Sequence, residues 1–181
     1  MLLRRILRAS VVRLPDLKTL ELHDGSEVIL KYARDYGITE SESRLIFKET
    51  IKMLWLMAKH ELETEKGVSS SVPEAFNVHK PMMPLDNMWH EFILFTREYH
   101  EFCHEHFGCY LHHVPCSERE FRAFQQRALE QKEEFIQRER ASIGVFVRYV
   151  QENLGSETLV TWFKELPKIS ETSSKVLPRH L

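Results

Sequence analysis

Histidines are concentrated in one segment of the chain, between His79 and His113. Seven of the ten histidines lie there, and six of them fall within the 24 residues from His90 to His113. Histidine is the side chain most often used as a metal ligand, and it also transfers protons near neutral pH. A metal site or acid–base chemistry is therefore the first hypothesis for this segment.

Asp86 and His90 are four residues apart in a segment with helical periodicity, so their side chains should point the same way. His100 and His104 have the same spacing. A third ligand must come from elsewhere, and His112 and His113 follow in a loop. Two nitrogens and one carboxylate leave coordination positions open for water or substrate, which suits Zn²⁺, Fe²⁺ or Mn²⁺. We predict a metal site made from Asp86, His90, His113 and His112, although no HExxH motif is present.

A second interpretation of the same segment needs no metal. On a straight helix Asp86, His90, Arg97, Glu101 and His104 form one narrow stripe opposite the aromatic residues. Charged stripes of this kind are usually solvated surface. Asp86 would also suit the helix N-terminus, and Arg97 with Glu101 has the spacing of an ordinary ion pair.

The three cysteines offer a third interpretation, in which Cys103, Cys109 and Cys116 bind zinc together with His106 or His112. Their spacing does not match a zinc finger, and Cys103 falls on the predicted buried face. Cys109, beside a glycine, is also a candidate nucleophile, but no neighbouring residue identifiably lowers the pKa of its thiol. An odd number of cysteines without a CxxC pair favours a reducing compartment.

Charge and hydropathy argue against two classes of partner, nucleic acids and membranes. The formal net charge of −2 lacks the excess of lysine and arginine that nucleic-acid binding requires. No apolar run approaches the roughly 18 residues needed to cross a bilayer. We therefore expect a cytoplasmic protein that binds a small molecule or another protein, and neither nucleic acid nor a membrane. The basic start of the chain resembles either a transit segment or a short amphipathic element.

Helical signals dominate the 181 residues, and no stretch alternates as a strand does. We predict an all-α single-domain bundle of about five main helices, with a partly ordered segment at residues 1–25, the helical domain at 26–166 and a disordered tail at 167–181. Helix starts are predicted at Ser26, Thr39, Asp86 and Ser117, where Thr39 and Ser117 have a glutamate three residues later. A bend is expected at residues 142–144, and Gly155 should end that helix.

The helix predicted from Asp86 to about Phe107 presents one broad apolar face. Trp89 beside it is expected to anchor packing, and Tyr99 needs a partner for its hydroxyl at the edge of the core. On the next helix we expect an apolar side as well. The two faces comprise Met88, Phe92, Phe95, Tyr99, Phe102, Cys103 and His106, and then Phe121, Phe124, Ala128, Phe135 and Ile136.

Residues 86–115 resemble the conserved block of the glycine-rich domain-containing protein-like family, in its short bacterial branch, and a weaker resemblance extends back to residue 27. The resemblance identifies a signature but implies no reaction. The chain has six scattered glycines and no glycine-rich tail, so the RNA-related role of larger relatives is not carried over. The resemblance rests on Asp86, Trp89, His90, Tyr99, Cys103, Phe107, Gly108, His112, His113 and Pro115.

Two functions remain open on the sequence alone. In one, the histidine-rich helix and loop form a metal site with an accessory or enzymatic role, and His90 is the residue chosen above all others. In the other, the chain is a non-catalytic interaction module, the Trp89–His90 motif is structural, and a charged surface from Glu130 to Arg140 binds a partner protein.

Overall fold

The computed structural model describes residues 13–67, 71–115 and 117–172. The all-α prediction is confirmed, since the described residues form helices and no strand. A 3₁₀ turn at Lys80–Met82 precedes the fourth helix, and a π-helical segment at Thr161–Glu165 precedes the last. The helices are α1 (Leu17–Leu20), α2 (Ser26–Tyr36), α3 (Glu40–Glu65), α4 (Met83–Leu94), α5 (Thr96–Phe107), α6 (Glu118–Glu130), α7 (Lys132–Val160) and α8 (Leu166–Thr172).

The prediction of about five main helices is not matched, because seven described helices have seven residues or more. The segment from Asp86 to Phe107 is predicted as one helix but is divided by one non-helical residue, and the segment from Glu118 is divided at a different residue from the predicted bend at 142–144. Phe95 (φ −80°, ψ 63°) separates α4 from α5, and Gln131 (φ −127°, ψ 44°) separates α6 from α7. Neither residue is a glycine or a proline, so the sequence carries no breaker at these points.

Most predicted helix ends agree with the structure, but α4 begins at Met83 rather than at Asp86, and Ser26 does not cap α2, which starts after Gly25. Gly37 ends α2 in the left-handed conformation (φ 64°), as a glycine at this position does. Thr39 and Glu42 form the capping box of α3, and Ser117 and Glu120 form that of α6. These local signals depend on a few neighbouring side chains, which is why they could be predicted.

Helix α3 is the centre of the core, with buried residues around most of its circumference. It packs against α2, α4 and α7. Buried and partly buried polar groups also join it to the C-terminal helices. Trp162 Nε1 donates to Glu49 Oε2 (2.8 Å) in the core, and Tyr149 Oη donates to Glu63 Oε2 (2.6 Å) at its edge. Such paired groups avoid the cost of burying an unsatisfied donor or acceptor.

The break at Phe95 turns α5 back against α4. In a straight helix the ring of Phe102 would lie roughly 15 Å along the axis from that of Phe92. The observed distance between the two ring centroids is 5.2 Å, and that between Phe92 and Tyr99 is 5.1 Å. The apolar face predicted for one helix therefore becomes the contact between two.

The C-terminal half departs most from prediction. Helix α6 has no buried residue, and Phe121 and Phe124 are exposed, so the apolar side expected there does not enter the core. Helix α7 continues through residues 142–144 without the expected bend. The prediction for Gly155 is confirmed, because this residue is non-helical (φ 85°, ψ 167°) and kinks the chain between two helical stretches of α7.

Both ends of the chain are described in part. Helix α1 lies in the N-terminal segment that was expected to be partly ordered, and α8 occupies residues 166–172, which overlap the tail expected to be disordered. Residues 1–12 and 173–181, with the expectations attached to them, lie outside the described residues. Among the described helices, none combines the length and the apolar character needed to cross a membrane.

Candidate metal site and cleft

Asp86 and His90 of α4 come together with His113, which lies near the end of the loop that follows α5. One potential ligand atom from each lies within 4.8 Å of the others. His113 Nε2 is 3.0 Å from Asp86 Oδ1, and His90 Nδ1 is 3.6 Å from Asp86 Oδ2. Side-chain exposure is 16% for Asp86, 17% for His113 and 52% for His90, so the group is sheltered on one side and open on the other.

The loop that carries His113 is held by a series of buried hydrogen bonds. Trp89 Nε1 donates to the hydroxyl of Tyr99 (2.9 Å), and this hydroxyl donates to the carbonyl of Leu111 (2.6 Å). The rings of Trp89 and His113 also contact each other, with centroids 4.4 Å apart. One aromatic residue from each of α4 and α5 therefore fixes the loop at the point where His113 meets Asp86.

Glycine is required where this loop begins. Gly108 ends α5 in the left-handed conformation (φ 74°), which side chains with a Cβ rarely adopt. The chain can then reverse toward α4 instead of continuing away from it. Gly108, Trp89 and Tyr99 thus have clear structural roles, and these roles serve the geometry of the site.

The other predicted ligands lie elsewhere. His112 is exposed and contacts the ring of Tyr110, with centroids 4.7 Å apart, so it does not join Asp86. His100 and His104 pack on each other along α5. The continuous solvated stripe is wrong, because the break at Phe95 divides it and Asp86 is largely buried. The ion pair between Arg97 and Glu101 is present on the surface (3.1 Å).

The cysteine interpretation receives no support from the described residues. Cys103 and Cys109 are both buried, and burial raises the pKa of the Cys103 thiol to about 11 and also raises that of Cys109. A thiol must lose its proton to bind metal or act as a nucleophile, so both thiols are in the unreactive form near neutral pH. Cys116 lies outside the described residues.

A cleft of about 430 Å³ opens beside the three site residues. Its walls come from the segment before α4, from α4, from the His113 loop and from the α6–α7 hairpin, in which α6 packs against the first part of α7 through Phe124 and Phe135. Pro115, one of the signature residues, lies on its rim. The lining residues are Phe76, Asn77, Val78, His79, Met83, Asp86, Trp89, His90, His113, Val114, Pro115, Phe124 and Glu139.

Three polar lining residues were not predicted as part of the site. Asn77 Oδ1 and His79 Nε2 are buried and have no hydrogen-bond partner among the described residues. Burial lowers the pKa of His79, and the negative charge of Glu139 opposes that shift. The clustering of histidines is a sequence signal for His79. No sequence signal marks Glu139, which approaches the cleft only because the α6–α7 hairpin forms part of its wall.

Comparison with known proteins adds one finding. A family model described as UCP032817-like matches residues 70–140. No curated protein and no solved structure matches the chain. The similar segment runs from the residues before α4 into the first part of α7. It therefore contains Asp86, His90, His113 and every residue that lines the cleft.

Proposed function

We propose that Asp86, His90 and His113 bind one divalent transition-metal ion, and that this ion serves an accessory or enzymatic role on a small molecule in the adjoining cleft. The observation that carries the proposal is the approach of three ligand atoms to within 4.8 Å of one another at the wall of a cleft. Asp86 and His113 are held by buried neighbours, and His90 faces outward.

The donor set and spacing suit such an ion. Ligand atoms held at about 2.0–2.2 Å from one zinc ion lie roughly 3 to 3.5 Å apart. The two histidines approach different oxygens of Asp86, at 3.0 and 3.6 Å, and one ligand atom from each of the three residues lies within 4.8 Å of the others. Side-chain rotations that draw these atoms closer together would therefore complete the site. Two imidazoles and one carboxylate suit Zn²⁺, Fe²⁺ or Mn²⁺. Three protein ligands leave at least one position for water or a substrate atom, as in catalytic sites.

Metal content of the tag-free full chain tests the proposal. We expect close to one ion per chain by elemental analysis, and visible absorption bands on loading with Co²⁺. Asp86→Asn, His90→Ala and His113→Ala should each weaken binding at least about tenfold. His112→Ala is the matched control, because His112 is adjacent in the loop but outside the group. Equal metal binding by His90→Ala and His112→Ala would contradict the proposed ligands.

Stability separates a ligand from a structural histidine. His90 is half exposed, so His90→Ala should leave the melting temperature of the metal-free protein nearly unchanged while abolishing the stabilisation that added metal provides. A ligand at 100 times its dissociation constant stabilises the folded state by about 2.7 kcal/mol. If His90→Ala instead lowers metal-free stability by about 1–3 kcal/mol and the wild type holds no metal, the histidine is structural.

An interaction module is the second candidate, and one observation favours it. Helix α6 has no buried residue and leaves Phe121, Phe124 and Leu129 exposed, and most of residues 130–140 is exposed as well. In this alternative the Trp89–His90 motif is structural and the hairpin of α6 and α7 binds a protein. A partner whose binding depends on Phe121 and Leu129 in a metal-free protein would favour it.

We also propose, from the sequence alone, a relationship to the glycine-rich domain-containing protein-like family and a cytoplasmic location. The motif from Asp86 to Pro115 supports the relationship, and the absence of paired cysteine motifs supports a reducing compartment. The lack of excess positive charge argues against nucleic acid as the partner.

A further inference from the structure

Three exposed apolar side chains converge on the cleft from separate parts of the chain. Met83 is at the start of α4, Val114 follows His113, and Phe124 is on α6, with exposures of 42, 43 and 38%. Trp89 and Phe76 add buried aromatic surface to the same walls. Single exposed apolar residues are ordinary, but a group of them around polar ligands is typical of a binding site.

The charges in the cleft restrict what could bind there. No lysine or arginine is present among the residues that line it, whereas Asp86 and Glu139 contribute carboxylates. Proteins hold phosphate and dicarboxylate groups mainly with arginine, lysine or helix N-termini. A polyanionic ligand would therefore meet negative charge at Glu139 and no lysine or arginine, and the start of α4 already carries the carboxylate of Asp86.

We propose that the cleft binds a small molecule with an apolar body and a single oxygen-donor group, of the monocarboxylic acid class, whose oxygen completes the coordination of the metal ion. The inference rests on the metal site proposed above and adds the chemistry of its ligand. The volume of about 430 Å³ lies within the usual range for small-molecule sites. Met83, Val114 and Phe124 contact the apolar body, and Asp86, His90 and His113 hold the ion that receives the oxygen.

Two hydroxamates of different length test this inference on the full chain loaded with Zn²⁺. Acetohydroxamate presents the metal-binding group with almost no apolar body, and hexanohydroxamate adds four methylenes. Each fully buried methylene increases affinity about fourfold. By calorimetry, we expect hexanohydroxamate to bind at least about tenfold more tightly than acetohydroxamate. Because both would occupy the same site, each should displace the other.

Paired variants locate the apolar contact. Phe124→Ala and Met83→Ala should each reduce the preference for hexanohydroxamate over acetohydroxamate by about threefold or more. The controls are Phe121→Ala, one turn earlier on α6, and Leu94→Ala, at the far end of α4. Both controls change an exposed apolar residue outside the cleft, so they should leave that preference unchanged.

The outcomes distinguish this inference from the metal site itself. If Zn²⁺ binds but the two hydroxamates bind equally, the apolar-body proposal is wrong and the metal proposal stands. Tighter binding of inorganic phosphate than of hexanohydroxamate would also overturn it. If the wild type binds no metal and neither hydroxamate, both proposals fail.

Discussion

Two pairs of helices in this protein contain aromatic residues at helical spacing, yet they use them differently. In the α4–α5 pair Trp89, Phe92, Tyr99 and Phe102 are buried and touch one another. In the α6–α7 hairpin Phe124 packs on Phe135 (5.0 Å between centroids) but remains well exposed. The same periodicity therefore predicts an apolar face in both places without stating what covers it.

The difference depends on long-range contacts. Helix α4 packs on α2 and α3, so its apolar face meets the core. Helix α6 packs mainly on the first half of α7, which is itself exposed. One pair thus holds the site in place, while the other provides only Phe124 and Glu139 at the open side of the cleft.

The largest expected effect is the loss of stability when a buried aromatic residue of the α4–α5 pair is removed, compared with an exposed one of the α6–α7 hairpin. Trp89→Ala and Phe102→Ala should each reduce the free energy of unfolding by about 3–5 kcal/mol, because each leaves a cavity in the core. Phe121→Ala on the hairpin should cost less than about 0.5 kcal/mol. Urea titration measures all three, and similar losses on both sides would remove the distinction.

A smaller effect tests how the α4–α5 pair positions the loop. Tyr99→Phe keeps the ring but leaves Trp89 Nε1 and the carbonyl of Leu111 without their partner. We expect a loss of about 1–3 kcal/mol in unfolding free energy and weaker metal binding. Tyr110→Phe, on the ring that packs against Tyr99, is the control. Unchanged metal binding in Tyr99→Phe would mean that ring packing alone holds His113.

In the α6–α7 hairpin, a substitution that favours helix should increase stability rather than reduce it. Gly144 lies inside α7, and a Cβ added there meets no atom within 4 Å. Gly144→Ala should raise the unfolding free energy by about 0.5–1 kcal/mol. Gly25→Ala provides the contrast, because its Cβ would overlap the ring of Phe47 and should destabilise the core. A lower unfolding free energy in the Gly144→Ala variant would contradict this expectation and would show that α7 needs the flexibility of glycine at this position.

The smallest expected effect is a pH dependence of stability that arises from histidines outside the α6–α7 hairpin. Burial lowers the pKa of His23, which packs on Phe102 (4.7 Å), and also that of His79. The unfolded chain therefore binds more protons below about pH 6.5, and stability should fall as the pH decreases from 7.5 to 5.5. Residues 117–172 contain no histidine. His23→Gln should reduce this slope in urea titrations, and an unchanged slope would contradict the assignment.

Features that depend on neighbouring residues could be predicted from the sequence, and features that depend on contacts between distant residues could not. Capping boxes at Thr39 and Ser117 and the αL glycine at Gly37 depend on near neighbours, and they were predicted correctly. The reversal at Phe95 depends on aromatic contacts between two helices, so no local pattern showed it. The exposure of Phe121 could not be predicted either, because it depends on whether α6 packs against the core.

The candidate site shows the same limit. The i, i+4 spacing placed Asp86 and His90 together in advance, since helical geometry is local. The choice between His112 and His113 required the position of the loop, which the Tyr99 hydroxyl sets. The histidine cluster extends to His79, but no sequence signal places Asn77 or Glu139 at the cleft, because they meet it through tertiary packing.

The hydrogen bonds that hold the His113 loop also have a consequence for the order of folding. They join residues 10 and 12 positions apart, and Asp86 and His113 are 27 apart, whereas Tyr149–Glu63 and Trp162–Glu49 span 86 and 113. Closing a short loop costs less chain entropy, and local contacts form sooner. The segment that carries Asp86, His90 and His113 can therefore assemble through contacts within residues 86–113, before the long-range contacts with α7 and the C-terminal helices form.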